Sequence, residues 1–314
     1  MSVAFVFPGQ GSQAVGMGKA LADSFAAARQ VFDQVDAALG HKLSTIMWEG
    51  PAERVMLTEN AQPALVAVSL AAMRVLETEA GVNLKRDAQF VAGHSVGEYS
   101  ALAATGALAL ADAVRLVRIR GRAMQEAVPV GVGAMAALLG VEFEQAAAIA
   151  AEAAQGEVVQ AANDNGGGQV VVSGHRGAIE RAVEIAKARG VRRAMMLPVS
   201  GPFHSALMQP AADVMADALA KVTINPPGVP LVANVLAKPT TDPVQIVRGL
   251  VAQVTGNVRW RESIAFMAGA GVTTFYEVGS GKVLSGLVKR IVEGATGTPI
   301  GTPTDVAAFK AAQN

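Results

Sequence analysis

Gln89-Phe90-Val91-Ala92-Gly93-His94-Ser95-Val96-Gly97 joins an apolar run to a helical pattern with no linker between them. Residues 89–92 read as a strand and residues 96–110 as a helix, which puts Ser95 on an abrupt strand-to-helix corner. Glycines on both sides leave room for the tight backbone and for a substrate carbonyl. The Val96 amide then points from a helix N-terminus toward any oxyanion formed there. A serine N-cap between loop glycines would account for the five residues 93–97 alone. With a strand before and a helix after, the pattern favours a nucleophile.

Outward from this corner the chain shows two rhythms. A strand at 3–7, helices at 18–38 and 63–80, the strand at 90–92 and a helix at 111–127 alternate as in a largely parallel sheet covered on both faces. From residue 128 the spacing tightens. A strand at 134–141, a helix at 142–154, strands at 158–163 and 169–173, a helix at 178–190 and a strand at 194–199 give the order βαββαβ of a ferredoxin-like unit. The expected fold is therefore α/β, with a small domain at 128–198 inserted into a larger domain made of 1–127 and 199–314. Asn163-Asp164-Asn165-Gly166-Gly167-Gly168 reads as the hairpin turn of the small domain. A helix is expected at 205–219, and residues 294–314 read as a loosely held tail with a short helix.

Composition narrows the function. The 314 residues are 51% hydrophobic, enough for a large core. Lys plus Arg and Asp plus Glu number 26 each, so there is no electrostatic footprint for nucleic acid or an anionic membrane. Cysteine is absent, which excludes thiol catalysis, disulfides and cysteine-held metal and fits a reducing compartment. The strand at 3–7 leaves no room for a signal peptide, and the apolar helix at 63–75, broken by Ser69 and ending at Arg74, is too short to span a bilayer. A cytoplasmic protein is expected.

A serine nucleophile needs a base, and there are four histidines. His41 lies in a polar connection and reads as surface. His94 adjoins Ser95, but neighbouring side chains on a strand point to opposite faces. His175 reads as the start of a helix. His204, in Pro202-Phe203-His204-Ser205, falls between a strand and a helix, where α/β proteins place catalytic groups. No acidic residue lies near it in sequence, so a backbone carbonyl is the candidate to orient its ring.

Arg120 stands out of phase. Arg115, Arg118 and Arg122 share one helix face, whereas Arg120 falls with Ala113, Val117 and Met124 on the apolar one. A buried guanidinium needs a partner, either an internal carboxylate or an acidic substrate. The loop Phe7-Pro8-Gly9-Gln10-Gly11-Ser12-Gln13-Ala14 matches Gly-x-Gly-x-x-Ala, the pattern of a dinucleotide-binding turn. The acidic residue such a site requires could only be Asp33 or Asp36, both inside a helical pattern. The loop also suits a second oxyanion donor, with Gln10 as the candidate.

Taken in order, Phe7-Pro8-Gly9-Gln10-Gly11-Ser12-Gln13, Gln62-Pro63-Ala64, Gly93-His94-Ser95-Val96-Gly97-Glu98-Tyr99, Arg120-Gly121, Asn163, Pro202-Phe203-His204-Ser205 and Glu277-Val278-Gly279-Ser280-Gly281-Lys282 resemble the malonyl-CoA:acyl carrier protein transacylases of type II fatty acid synthesis. The resemblance covers about residues 1–293. It implies a hydrolase-like core with a parallel sheet and the ferredoxin-like insert. It makes Ser95 the nucleophile, His204 the base, Arg120 the malonyl carboxylate clamp and Gln10 with Val96 the oxyanion hole. It also implies that the backbone carbonyl of Gln253 orients the histidine. Val96 stands where leucine is commoner in the family, and Ser280 where proline is.

The implied reaction is ping-pong transfer of malonyl from malonyl-CoA to the phosphopantetheine thiol of holo acyl carrier protein. No metal or other cofactor is expected. A thioester hydrolase would share Ser95 and His204 but has no evident need for Arg120. A non-catalytic module binding malonyl-CoA or the carrier protein would have no need for the intact set.

Overall fold

The structure, a computed structural model, describes residues 2–313. Its strands are β1 (Ser2–Phe7), β2 (Phe90–Gly93), β3 (Gly133–Leu139), β4 (Val159–Gly166), β5 (Gln169–His175), β6 (Arg193–Met196), β7 (Leu231–Ala233), β8 (Lys238–Thr240), β9 (Val272–Val278) and β10 (Thr296–Ile300). Six form a sheet in the order β10-β9-β1-β2-β7-β8, parallel except for the pair β7 and β8. Because successive side chains point to opposite, covered faces, the central strands β1, β2 and β7 are apolar at almost every position. Phe5, Phe7 and Val91 enter one core, while Ala4, Val6, Phe90 and Ala92 enter another on the opposite face, around Trp260 and Phe275.

The second sheet, β4-β5-β3-β6, is antiparallel throughout. Two helices, Phe143–Ala154 and Arg176–Ala188, cover one face of it, where Ala134, Ala136, Leu138, Val170 and Val172 are buried. From the other face Met135 and Val171 join the core of the large sheet. The connectivity and strand order are those of the ferredoxin-like unit.

Several segments differ from their sequence reading. The helix expected at 18–38 breaks at Phe25, which is extended (φ −132°, ψ 121°), into Lys19–Ser24 and Ala26–Leu39. The helix after Ser95 is Gly97–Ala104, and the next begins at Leu110 after a turn at Gly106. The helix expected from Pro63 starts earlier, at Thr58, and Pro63 lies inside it. Proline cannot donate to the carbonyl four residues back. That carbonyl, of Glu59, instead accepts from Arg118 Nη1 at 3.3 Å. The helix expected at 205–219 opens with a tight 3₁₀ turn, Ala206–Met208, before Gln209–Leu219.

Residues 163–168 are not all turn. β4 continues through Asn163, Asp164 and Asn165, all buried, and the chain reverses at Gly167 and Gly168 (φ 58° and 72°). Asp164 instead pairs with Arg261 Nε at 2.8 Å. The tail is not loose either. β10 extends the parallel sheet, and the helix Pro303–Gln313 buries Val306 and Phe309, whose ring lies 4.9 Å from Tyr276. Among the described residues no helix is long and apolar enough to cross a membrane.

Candidate active site

Ser95 has φ 51°, a left-handed conformation that serine seldom adopts. The glycines around it are there for want of space. A Cβ on Gly93 would sit 1.9 Å from the backbone of Gly97, and one on Gly97 would sit 2.2 Å from the carbonyl oxygen of Phe7. The corner thus presses against the end of β1, to which the His94 N–H also donates, at 3.0 Å from the Phe7 oxygen.

The corner aims Ser95 Oγ at His204 Nε2, 2.8 Å away. His204 also has a left-handed backbone (φ 57°), and its Nδ1 lies 2.8 Å from the carbonyl oxygen of Gln253 on the helix Pro243–Thr255. A carbonyl only accepts, so Nδ1 carries the proton and the Nε2 lone pair faces the serine. Burial, and then the charge of Arg120, lower the pKa of His204 to about 3, so the ring is neutral at ordinary pH. The other histidines are elsewhere. His94 Nε2 meets Asn165 Oδ1 at 2.9 Å, and His175 caps the helix Arg176–Ala188 and accepts the Val158 N–H. His41 is half-buried rather than on the surface, its Nδ1 3.2 Å from the carbonyl oxygen of Leu39.

Arg120 is fully buried, in line with its helix phase, beside Ala113, Val117 and Met124. Its Nη1 donates to Gln62 Oε1 at 2.8 Å, and Nη2 donates to Gln253 Oε1 at 2.9 Å and to Ser95 Oγ at 3.1 Å. Among the described residues no carboxylate lies within ion-pair distance of it, which removes the internal salt bridge as its explanation. Its Nε is buried without a partner.

The glycine-rich loop after β1 packs on the elbow, since a Cβ on Gly9 would sit 2.5 Å from the His94 carbonyl oxygen. The first helix begins only at Lys19, so this loop does not open a helix N-terminus as a dinucleotide turn would. The Gln10 side chain is held by Gln62 Nε2 at 3.3 Å and Thr58 Oγ1 at 3.5 Å. Among the described residues no acceptor takes the N–H of Gln10 or of Val96.

Three residues of this network had no role in the sequence reading. Gln62 holds both Gln10 and Arg120. Glu98 is buried on a helix with almost no polar face, and its Oε2 accepts from Gln253 Nε2 at 2.5 Å. Burial raises its carboxyl to about 7 against the lowering effect of Gln253, Asn234 and Arg120. The available signal for Glu98 was its isolation, the only Asp, Glu, Lys or Arg between Asp87 and Asp112. Asn234, just after β7, bonds the backbone on both sides of the elbow, and nothing in its sequence neighbourhood marks it.

Residues 4–301 match the acyl transferase domain family. The malonyl CoA-acyl carrier protein transacylase of Escherichia coli K12 is 48% identical over 97% of each chain. A crystal structure of acyl-carrier-protein-S-malonyltransferase from Bartonella henselae superposes with a TM-score of 0.97 at 54% identity, covering 99% of each chain. A malonyl-transacylase solved with a holo type II PKS acyl-carrier protein gives 0.96 at 40% identity, covering 99% of this chain and 100% of that one. The chain belongs to the acyl transferase family and, within it, to the malonyl CoA-acyl carrier protein transacylases.

Proposed function

We propose that this protein carries malonyl from malonyl-CoA to the phosphopantetheine thiol of acyl carrier protein, supplying fatty acid synthesis, with Ser95 as the covalent carrier. His204 Nε2 takes the hydroxyl proton as Ser95 Oγ attacks the thioester carbonyl. The oxyanion rests on the Gln10 and Val96 amides, and the CoA sulfur leaves with the proton from His204. The carrier thiol then gives its proton to His204 and attacks the malonyl ester, and Ser95 recovers its proton. The reaction balances without a metal or redox group, so none is assigned. We read 128–198 as a domain inserted into the catalytic one, 1–127 with 199–314, and assign the protein to the cytoplasm.

The observation that carries this reading is the buried guanidinium of Arg120, 3.1 Å from Ser95 Oγ with only neutral oxygens as partners. A free carboxylate on the acyl group answers it. Pairing also offsets the Arg120 charge, which after burial is the larger of the remaining causes that hold the His204 pKa down, so the base strengthens when a carboxylated acyl group is bound. Intact-mass spectrometry after mixing with malonyl-CoA, with and without holo carrier protein, tests the reading. Malonyl should appear on Ser95 and then move to the carrier. Malonyl lost only to water would indicate a hydrolase, and no covalent adduct a binding module.

A further inference from the structure

β2 and β7 run in parallel register with Val91 opposite Leu231 and Ala92 opposite Val232. There β2 leaves the sheet for the elbow, and the Gly93 carbonyl and the Ser95 N–H lose a strand to pair with. One buried side chain meets both. Asn234 Oδ1 accepts the Ser95 N–H at 2.7 Å, and its Nδ2 donates to the Gly93 oxygen at 2.7 Å. The carboxamide offers one donor and one acceptor, as a strand backbone would. The Ser95 carbonyl accepts from Gln253 Nε2 at 3.1 Å, and Glu98 Oε2 accepts from that same Nε2 and from the Asn234 N–H.

We propose that Asn234 is a positioning residue for acyl transfer, its amide replacing the missing strand and holding Ser95 in the left-handed conformation that aims Oγ at His204. This rests on the reading of Ser95 as nucleophile. A left-handed serine persists only where its surroundings fix it. Without the amide the corner relaxes and Oγ leaves the line to Nε2. Gln253 Nε2 also donates to Asn234 Oδ1 at 3.3 Å, but it keeps the Ser95 carbonyl and Glu98 as acceptors when Asn234 is truncated, so Gln253 Oε1 and Gln62 still hold Arg120 and acyl binding survives the change.

The test is single-turnover acylation of folded Asn234→Ala by malonyl-CoA and by acetyl-CoA, with peptide mapping of the ester. Maximal rates should fall about 100-fold, the scale of an ångström-sized misplacement, by the same factor for both substrates. KM should stay within about threefold, because the loss is in alignment rather than binding. If Asn234→Ala does not fold, Asn234→Asp, which keeps the outline and the acceptor for Ser95, should show a smaller fall shared by both substrates. Wild-type rates in the folded variant, or a fall confined to malonyl, would overturn the proposal. A wild-type malonyl ester mapped away from Ser95 would instead sink the nucleophile reading and this one with it.

Discussion

Arg120→Ala separates the acyl group's carboxylate from the rest of the substrate. In the free site both Nη atoms hold only neutral oxygens, so malonyl need displace no competing carboxylate to pair with them. Breaking one side of a buried ion pair costs about 3–5 kcal/mol. At about 1.4 kcal/mol per factor of ten, kcat/KM for malonyl-CoA should fall by roughly 10² to 10⁴. Acetyl-CoA makes no such pair. Its kcat/KM should hold or rise, because removing the guanidinium also removes the charge that helps hold the His204 pKa down. Gln62 Oε1 and Gln253 Oε1 lose a donor, at about 1–3 kcal/mol for each group left buried and unpaired, so turnover is measured well below the variant's own Tm. The deciding number is the malonyl-to-acetyl ratio of kcat/KM in wild type and variant. Were both substrates to slow by one common factor, Arg120 would be serving Ser95 and His204 rather than the carboxylate.

Ser95→Ala should cost on the order of 10⁴-fold or more in malonyl transfer, His204→Ala nearly as much, and the double variant little beyond either; additive losses in steady-state kinetics would deny that the pair works as a unit. Glu98 titrates near 7 in the fold against 4.5 ordinarily, so the unfolded chain loses this proton first and native stability falls as pH rises from about 4.5 to 7. Glu98→Gln removes that slope, and its stability relative to wild type should improve by about 3 kcal/mol between pH 4.5 and pH 8, read from urea midpoints; parallel pH profiles would contradict the buried carboxylate. Phe309→Ala should destabilise by about 3 kcal/mol or more in the same assay, whereas a peripheral tail would leave the midpoint unmoved.

The elbow, the two sheet rhythms and the burial of Arg120 were legible because each is written in local periodicity. Helix phase alone put Arg120 on the apolar face. His204 emerged only by elimination, and the Gln253 carbonyl could not be read from spacing, because any residue has one. Asn234 and Gln62 depend on strand order and helix packing, which place residues far apart in sequence within 3 Å of the elbow and of Arg120. β10 escaped notice for a different reason. Thr296-Gly297-Thr298-Pro299-Ile300 carries a glycine and a proline, residues that weaken a strand signal and are tolerated only at an edge, which is where it lies. The break at Phe25 interrupts a run whose composition is helical throughout, so tertiary packing decides it, whereas Gly106, left-handed at φ 75°, is a helix stop written in the sequence that the period of the surrounding run hides.

β1 lies between β2 and β9, so Phe5 has Val91 on one side and Tyr276 on the other. A ribosome delivers the first neighbour early and the second only when most of the chain has been made, and a contact of such long range is slow to close. The loop that follows β1 waits as well. Ser280 Oγ donates to the Ser12 oxygen at 2.6 Å, and a Cβ on Gly279 would lie 2.9 Å from the Pro8 ring, so the turn after β9 clamps the segment bearing Gln10. The segment bearing Gln10 is therefore fixed only after synthesis has passed residue 280, and on the proposed mechanism a chain stalled short of that point should not be acylated at Ser95.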